Sequence, residues 1–275
     1  MQLCDIIRII EEIAPLSGAA SWDKSGMQLA SYNNAIHNLA LCLDPSPPAI
    51  RRAMQLEAQL LITHHPLLIT PRLPAALDSF HEALSLLFKA DMALYAAHTS
   101  LDVVMDGPAG WLAQEFALHE MRVIEPCPGQ SGPLRGFGCV GELPKPLSLD
   151  LLLARLARHI SLDGASLSGL PVDNARPFKR IAYCPGSGSS LLQAAAEAEA
   201  DIFITGDVKY HSALDAPLPL LDVGHHALEE EMTRRFAVLL SERLSGAHTH
   251  FIPSTNPIRP AMPAGVCKPV LENPR

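Results

Sequence analysis

Two hydrophobic patterns alternate along this chain. Short unbroken apolar runs, LALCL at Leu39–Leu43, LLIT at Leu60–Thr63 and ALYAA at Ala93–Ala97, predict strands covered on both faces. Helices are expected between and after them, over Pro48–Glu57, Pro74–Lys89 and Ala109–Leu118. The N-terminal MQLCDIIRIIEEIAPL has apolar positions at helical spacing and predicts an amphipathic first helix. Acidic residues interrupt it and no basic leader precedes it, so it does not read as a signal peptide. The second half repeats the alternation. It predicts strands over Leu134–Leu143, Arg180–Cys184, Ile202–Thr205, Leu220–Val223 and Thr249–Ile252. Helices are expected over Leu149–His159, Ser189–Ala200, Val208–Leu214 and His226–Leu240, with a loop-rich stretch at Gly164–Pro177 and a proline-rich tail at the end. Strand and helix in turn indicate an α/β protein with parallel strands and helices packed on the sheet faces. The Pro- and Gly-rich segment Glu125–Pro133 is the best boundary, dividing the chain into α/β domains at 1–128 and 129–275.

The halves also repeat each other in sequence. Aligned without a gap, Ala40, Cys42, Ala53, Glu57, Ala58, Ile62 and Thr63 match Ala182, Cys184, Ala195, Glu199, Ala200, Ile204 and Thr205. Each copy reads strand, helix, strand and polar tip. The tips are His64-His65 in one and Gly206-Asp207 in the other. A second echo follows: His98 stands four residues before Asp102, and His225 four before Glu229. Ligands in open α/β sheets bind at such strand tips. Two facing units would gather imidazoles and carboxylates in one cleft.

Composition narrows the picture. At 275 residues, 48% hydrophobic and 18% charged, the chain is globular. A net charge of −8 and only 5% aromatic residues argue against nucleic acid as a partner. No apolar run approaches the roughly 18 residues of a membrane span. None of the six cysteines forms a CxxC pair, and reduced cysteines suit a cytoplasmic protein.

The chemistry-bearing residues are polar groups at strand ends. His64 and His65 leave the strand LLIT just before Pro66, where both rings can turn to one cleft. Neutral imidazoles there would bind Zn, Fe, Mn, Co or Ni. His225 and Glu229 share a helix face, but so do His226 and Glu230, and spacing alone leaves both registers open. His98 can be a ligand or hold a carboxylate in place, while Asp102 can be a ligand or a helix cap. Asp207, followed by Lys209 and His211, occupies the repeat position of His65 and is a candidate for substrate binding or proton relay. CPGSGSS reads more as a tight turn than as an anion-binding loop, since it lacks the P-loop lysine. The aspartate of Trp22-Asp23-Lys24-Ser25-Gly26 reads as a turn residue. Neither a G-x-S-x-G elbow nor an H-E-x-x-H motif is present.

WDKSGMQLA, LITHHPL, AAHTSLD, YCPGSGS, FITGDVKYHSALDA and DVGHHALEE occur in this order. Together they resemble the Nif-three-like dinuclear-metal-centre proteins, also called GTP cyclohydrolase 1 type 2 homologs. The resemblance implies two similar α/β domains with a metal site in the cleft between them and a ring-shaped homohexamer. It implies two divalent transition-metal ions per subunit, held by His64, His65, Asp102, His225 and Glu229 with at least one bridging carboxylate. The function it implies is a metal-dependent hydrolase acting on a nucleotide such as GTP or a related heterocycle, with His98, Asp207 or His211 moving protons. The competing expectation is a non-catalytic metal-binding, chaperone or regulatory scaffold using the same five residues. The chain departs from the family pattern at Lys24, where an Asn is usual, and at Asp106–Trp111, where DGPAGW replaces a Gly-Gly-x-Asn turn.

Overall fold

The computed structural model describes residues 1–127, 132, 134–169 and 177–259. The proline-rich tail from residue 260 lies outside them, as does part of the expected boundary segment. In chain order the elements are α1 (Leu3–Ile13), β1 (Gly26–Leu29), β2 (Asn38–Cys42), α2 (Pro47–Gln55), β3 (Leu60–Thr63), α3 (Ser79–Ala90), β4 (Ala93–Ala96) and α4 (Thr99–Asp102). Then come α5 (Trp111–Glu115), β5 (His119–Pro126), β6 (Gly136–Leu147), α6 (Leu149–Leu156), β7 (Ser166–Ser168) and β8 (Phe178–Ser187). The chain continues through α7 (Leu192–Glu197), β9 (Ile202–Gly206), α8 (Tyr210–Leu214), β10 (Leu220–Asp222), α9 (His225–Arg243) and β11 (His248–Phe251).

Two sheets result. One has the order β1-β4-β3-β2-β11 and the other β5-β6-β8-β9-β10-β7. The inner strands of the first sheet, with β11, are parallel, as are β8, β9 and β10 of the second. Antiparallel strands flank these parallel cores: β1 on β4, β7 on β10, and β6 with β5 beside β8. β1, β5 and β7 have no counterpart among the expected elements. β5 is mostly exposed and β7 is three residues long, so neither carries a buried apolar run.

Local chemistry explains where the helices start. Ser46 accepts from the Ala49 N–H with Pro47 at the first helical position. Asp78 accepts from the His81 N–H at 3.0 Å, so α3 begins at Ser79 rather than Pro74. Gly224, at φ 87, starts α9 without a side-chain cap.

The main core lies between the sheets. It joins Leu39, Leu41, Ile62 and Tyr95 of the first to Ile181, Tyr183 and Ile204 of the second. α9 runs through this layer and packs on β2 and β11 as well as β8 and β9. Its Leu228, Met232, Phe236 and Leu240 are buried there. Smaller clusters cover the outer faces, under α2 and α3 on one side and α7 on the other. The carboxyl ends of the parallel strands and the start of α9 meet at one place, where the polar residues collect.

Candidate metal centre

His64 and His65 continue β3 by one rung each, their N–H groups donating to Cys42 O at 3.2 Å and Leu43 O at 3.0 Å. Both rings nevertheless reach one carboxylate. His64 Nε2 lies 3.5 Å from Glu229 Oε1, and His65 Nε2 lies 3.0 Å from Glu229 Oε2. His225, one turn before Glu229 on α9, brings its Nε2 to 2.7 Å from the same Oε2. Asp102, at the end of α4, sets Oδ1 3.7 Å from His64 Nε2. The structure thus brings together all five residues expected as ligands. It also separates the two registers on α9. His225 and Glu229 face the cluster, while His226 and Glu230 hold Ser254, whose Oγ lies 2.7 Å from each.

The four histidines share one construction. Each Nδ1 is fixed to an oxygen: His64 to Ala97 O at 2.9 Å, His65 to Asp44 at 2.7 Å, His98 to Asp23 at 2.6 Å and His225 to Asp207 at 2.7 Å. Such partners set the tautomer and aim Nε2 at a common point. The potential ligand atoms fall into three groups: His64 with His65 and His98; His65 with His225 and Glu229; and His64 with Asp102 and Glu229. His64, His65 and Glu229 each belong to two of them, and Glu229 is the carboxylate they share.

Asp207 therefore contacts the cluster through His225. His211 does not join it. It is exposed on α8 with its ring edge-on to that of Tyr210, 5.3 Å between centroids. Sequence reasoning missed Asp44 and dismissed Asp23. The Asp23 side chain is fully buried rather than a solvated turn residue. It accepts from His98, Ser25 Oγ, Thr99 Oγ1 and the N–H groups of Lys24 and Thr99. Asp44 stands two residues beyond the end of β2 and has only that position, a strand tip beside the one bearing His65, as a sequence signal.

Small residues keep the cluster tight. A Cβ on Gly186 would stand 2.1 Å from Glu229 Oε1, and one on Gly206 would stand 2.3 Å from the His225 backbone nitrogen. CPGSGSS thus serves as a close-packed wall of the cluster. DGPAGW seats Trp111, whose Nε1 donates to Leu228 O at 3.1 Å, next to Glu229. Lys24 contributes backbone bonds to its loop, to Asp23 and Gln28.

Charge in the cluster is balanced by protons in the metal-free chain. Burial disfavours a charged His65, but Asp44 and Glu229 outweigh it and raise its pKa to about 10. Burial likewise opposes charge on His225, and Glu229 with Asp207 raises it to about 9. Glu229 is held well below the usual carboxylate range despite its burial, because His64, His225 and His65 surround it. Asp102 is pushed up by burial and by the facing Glu229, against the pull of His64.

His64 Nε2, Asp102 Oδ1, His225 Nε2 and Glu229 Oε2 are buried without a hydrogen-bond partner. The 2.7 Å approach of His225 to Glu229 is misaligned for one. A buried polar atom left unsatisfied costs about 1–3 kcal/mol. Converging imidazole and carboxylate donors form the set that divalent transition metals take up. The residues present therefore fit a metal centre.

The sequence profile of the family Duf34/NIF3 (NGG1p interacting factor 3) matches residues 1–257. The chain belongs to this family. A GTP cyclohydrolase 1 type 2 homolog of Streptomyces coelicolor is 32% identical over 83% of this chain and 81% of its own length. One from Nostoc is 31% identical over 93% and 96%. Among solved structures, reduced HcgD from Methanocaldococcus jannaschii is 27% identical over 91% of this chain and 97% of that one, with a TM-score of 0.77. A Bacillus cereus protein related to NIF3 shares the fold at a TM-score of 0.83 and 21% identity, covering 94% and 98%. Among the described residues, no helix of this Duf34/NIF3 protein is long and apolar enough to cross a membrane.

Proposed function

We propose that His64, His65, Asp102, His225 and Glu229 hold two divalent transition-metal ions, and that the protein is a metal-dependent hydrolase acting on a nucleotide or related heterocycle. The observation that carries this reading is the set of four buried, unpartnered donor atoms converging from the end of β3, from α4 and from α9. The names of the curated relatives favour a reaction of the GTP cyclohydrolase type, the hydrolytic opening of a guanine ring with loss of formate.

Divalent ions in such a site supply Lewis acidity and make water a nucleophile near neutral pH. The chain's own residues supply the rest. Glu229 stands between the His64–Asp102 pair and the His65–His225 pair, so its carboxylate would be shared by both sets of donors in holding the metal. Asp44 and Asp207 lock the rings of His65 and His225 so that their Nε2 atoms remain donors. His98, held through Nδ1 by Asp23 with its other nitrogen toward the cluster, would carry a proton to or from a reacting atom. His211, exposed and apart, takes no part in this proposal.

The test is incubation of metal-loaded protein with GTP and with simple phosphoesters, following formate and phosphate release. Turnover that disappears in Glu229→Ala supports the hydrolase. Full metal loading with neither product refutes it and leaves a metal-binding scaffold. A ring-shaped homohexamer in the cytoplasm belongs to the same proposal, and light scattering after gel filtration tests the assembly.

A further inference from the structure

Trp22 is the feature of this face that metal binding does not use. The chain has two tryptophans. Trp111 is completely buried, whereas Trp22 is 55% exposed. Its ring meets His98 edge-on at 5.8 Å between centroids. His98 lies 5.2 Å and 5.6 Å from the rings of His64 and His65. The open indole therefore stands one ring away from the converging donor atoms.

Its position is held from both sides. The next residue, Asp23, is the buried carboxylate that binds His98, Ser25 and Thr99. The Ala20 N–H donates to Thr99 Oγ1 at 2.9 Å, and the Asp23 N–H to Ala20 O at 2.9 Å. Gln28 closes the far end of the loop through Lys24 O and Gly26 O. An apolar ring exposed on a mobile loop would be incidental. One clamped to the wall of a donor cluster is pre-organised to bind, because little freedom is left to lose.

We propose that Trp22 is a stacking surface for the substrate, and that the ligand it takes is a planar nitrogen heterocycle whose edge is presented to the cluster. The edge-on contact with His98 leaves most of the indole free. Flat rings gain from such a surface whatever their hydrogen-bonding pattern, since every base has a π-face. The direction of the reacting edge rests on the metal-centre proposal above. The ring subsite does not, because Trp22 is placed by Asp23 and Thr99.

The test compares GMP with ribose 5-phosphate, which share the sugar phosphate and differ in the heterocycle. Excitation at the red edge of tryptophan absorption, with iodide as quencher, reads the exposed indole, Trp111 being shielded in the core. GMP is expected to protect Trp22 from iodide in a saturable way, ribose 5-phosphate to leave it open, and Trp22→Phe to lose the iodide-sensitive signal. In calorimetry, Trp22→Ala should bind GMP about tenfold more weakly, with Trp22→Phe recovering part of the loss. Equal protection by both ligands, no protection by either, or unchanged GMP affinity in Trp22→Ala overturns the inference. An indole already shielded from iodide in the free protein overturns it too, and would point to another copy of the chain covering it. Metal content measured on the same samples keeps the two proposals apart. Loss of metal from the wild-type protein speaks against the centre, and loss of ring discrimination against the subsite.

Discussion

The two halves of the chain begin from one sequence pattern and end in opposite roles at the cluster. In the first copy Thr63 is followed by His64 and His65, whose rings point at Glu229. In the second copy Thr205 is followed by Gly206 and Asp207, which occupy the same repeat positions. Gly206 offers no donor, and a Cβ there would strike the His225 backbone. Asp207 only orients His225. The first copy thus places its donors on the strand tip itself. The second clears its tip so that α9 can enter with His225 and Glu229. Even the matching threonines differ: Thr63 Oγ1 donates to His65 O, while Thr205 Oγ1 accepts from the Gly188 N–H and donates to Gly186 O, shaping the glycine loop under Glu229. A repeated fold unit therefore does not imply a repeated ligand set. A single Cβ decides whether a strand tip carries a donor or makes room for one.

That contrast can be broken in order of severity. Glu229 is where the two sets of donors meet, so Glu229→Ala should strip essentially all bound metal, while His65→Ala should leave part of it. Elemental analysis of both variants checks the difference, and equal losses would remove Glu229 from its central role. Gly206→Ala should destabilise the fold by about 2–4 kcal/mol in a denaturant titration, because backbone must move to admit the methyl group. Gly164→Ala serves as its control. Gly164 has a positive φ, which Gly206 has not, but nothing within 4 Å of the added carbon, so about 1 kcal/mol of strain is expected there. Comparable costs at the two sites would contradict the close-packing argument.

Asp44→Asn and Asp207→Asn test the orienting carboxylates of the two halves. Each should weaken metal affinity by about 10- to 100-fold without unfolding the protein. A variant that binds metal normally would show its aspartate to be a bystander. The smallest effect is on pH dependence. In the metal-free protein His65 and His225 hold their protons up to about pH 10 and 9, against about 6.5 for an imidazole in the unfolded chain. Their contribution to stability is fully present below pH 6.5 and is lost as the pH rises through 9–10. The melting temperature of metal-free protein should therefore fall across that window. Metal affinity should rise across it, because the ion displaces those protons. A flat melting temperature would show that the rings titrate unperturbed.

What the sequence made legible follows from where its signals are local. The buried parallel strands show as unbroken apolar runs, and the donors show as polar residues at the ends of those runs. β1 and β5 give no such run, since their exposed positions break the pattern. The pairing of β11 with β2 joins segments some two hundred residues apart and has no local trace. Asp44 and Asp23 escaped for a related reason. Each sits where a turn residue is ordinary, and only the approach of His65 or His98 from another element gives it a task. The register on α9 was ambiguous because two His–Glu pairs have the same spacing. Packing resolved it, by burying Leu228 and Met232 and so turning His225 and Glu229 toward the cluster.

The most direct test of the central claim is metal content per chain. It should be measured by elemental analysis on protein purified without chelator or histidine tag, then repeated after stripping and reconstitution. The account predicts about two transition-metal ions per chain, restored on reconstitution. Protein that carries none and takes up none would mean that the inward-facing atoms of His64, His65, Asp102, His225 and Glu229 are not a metal centre.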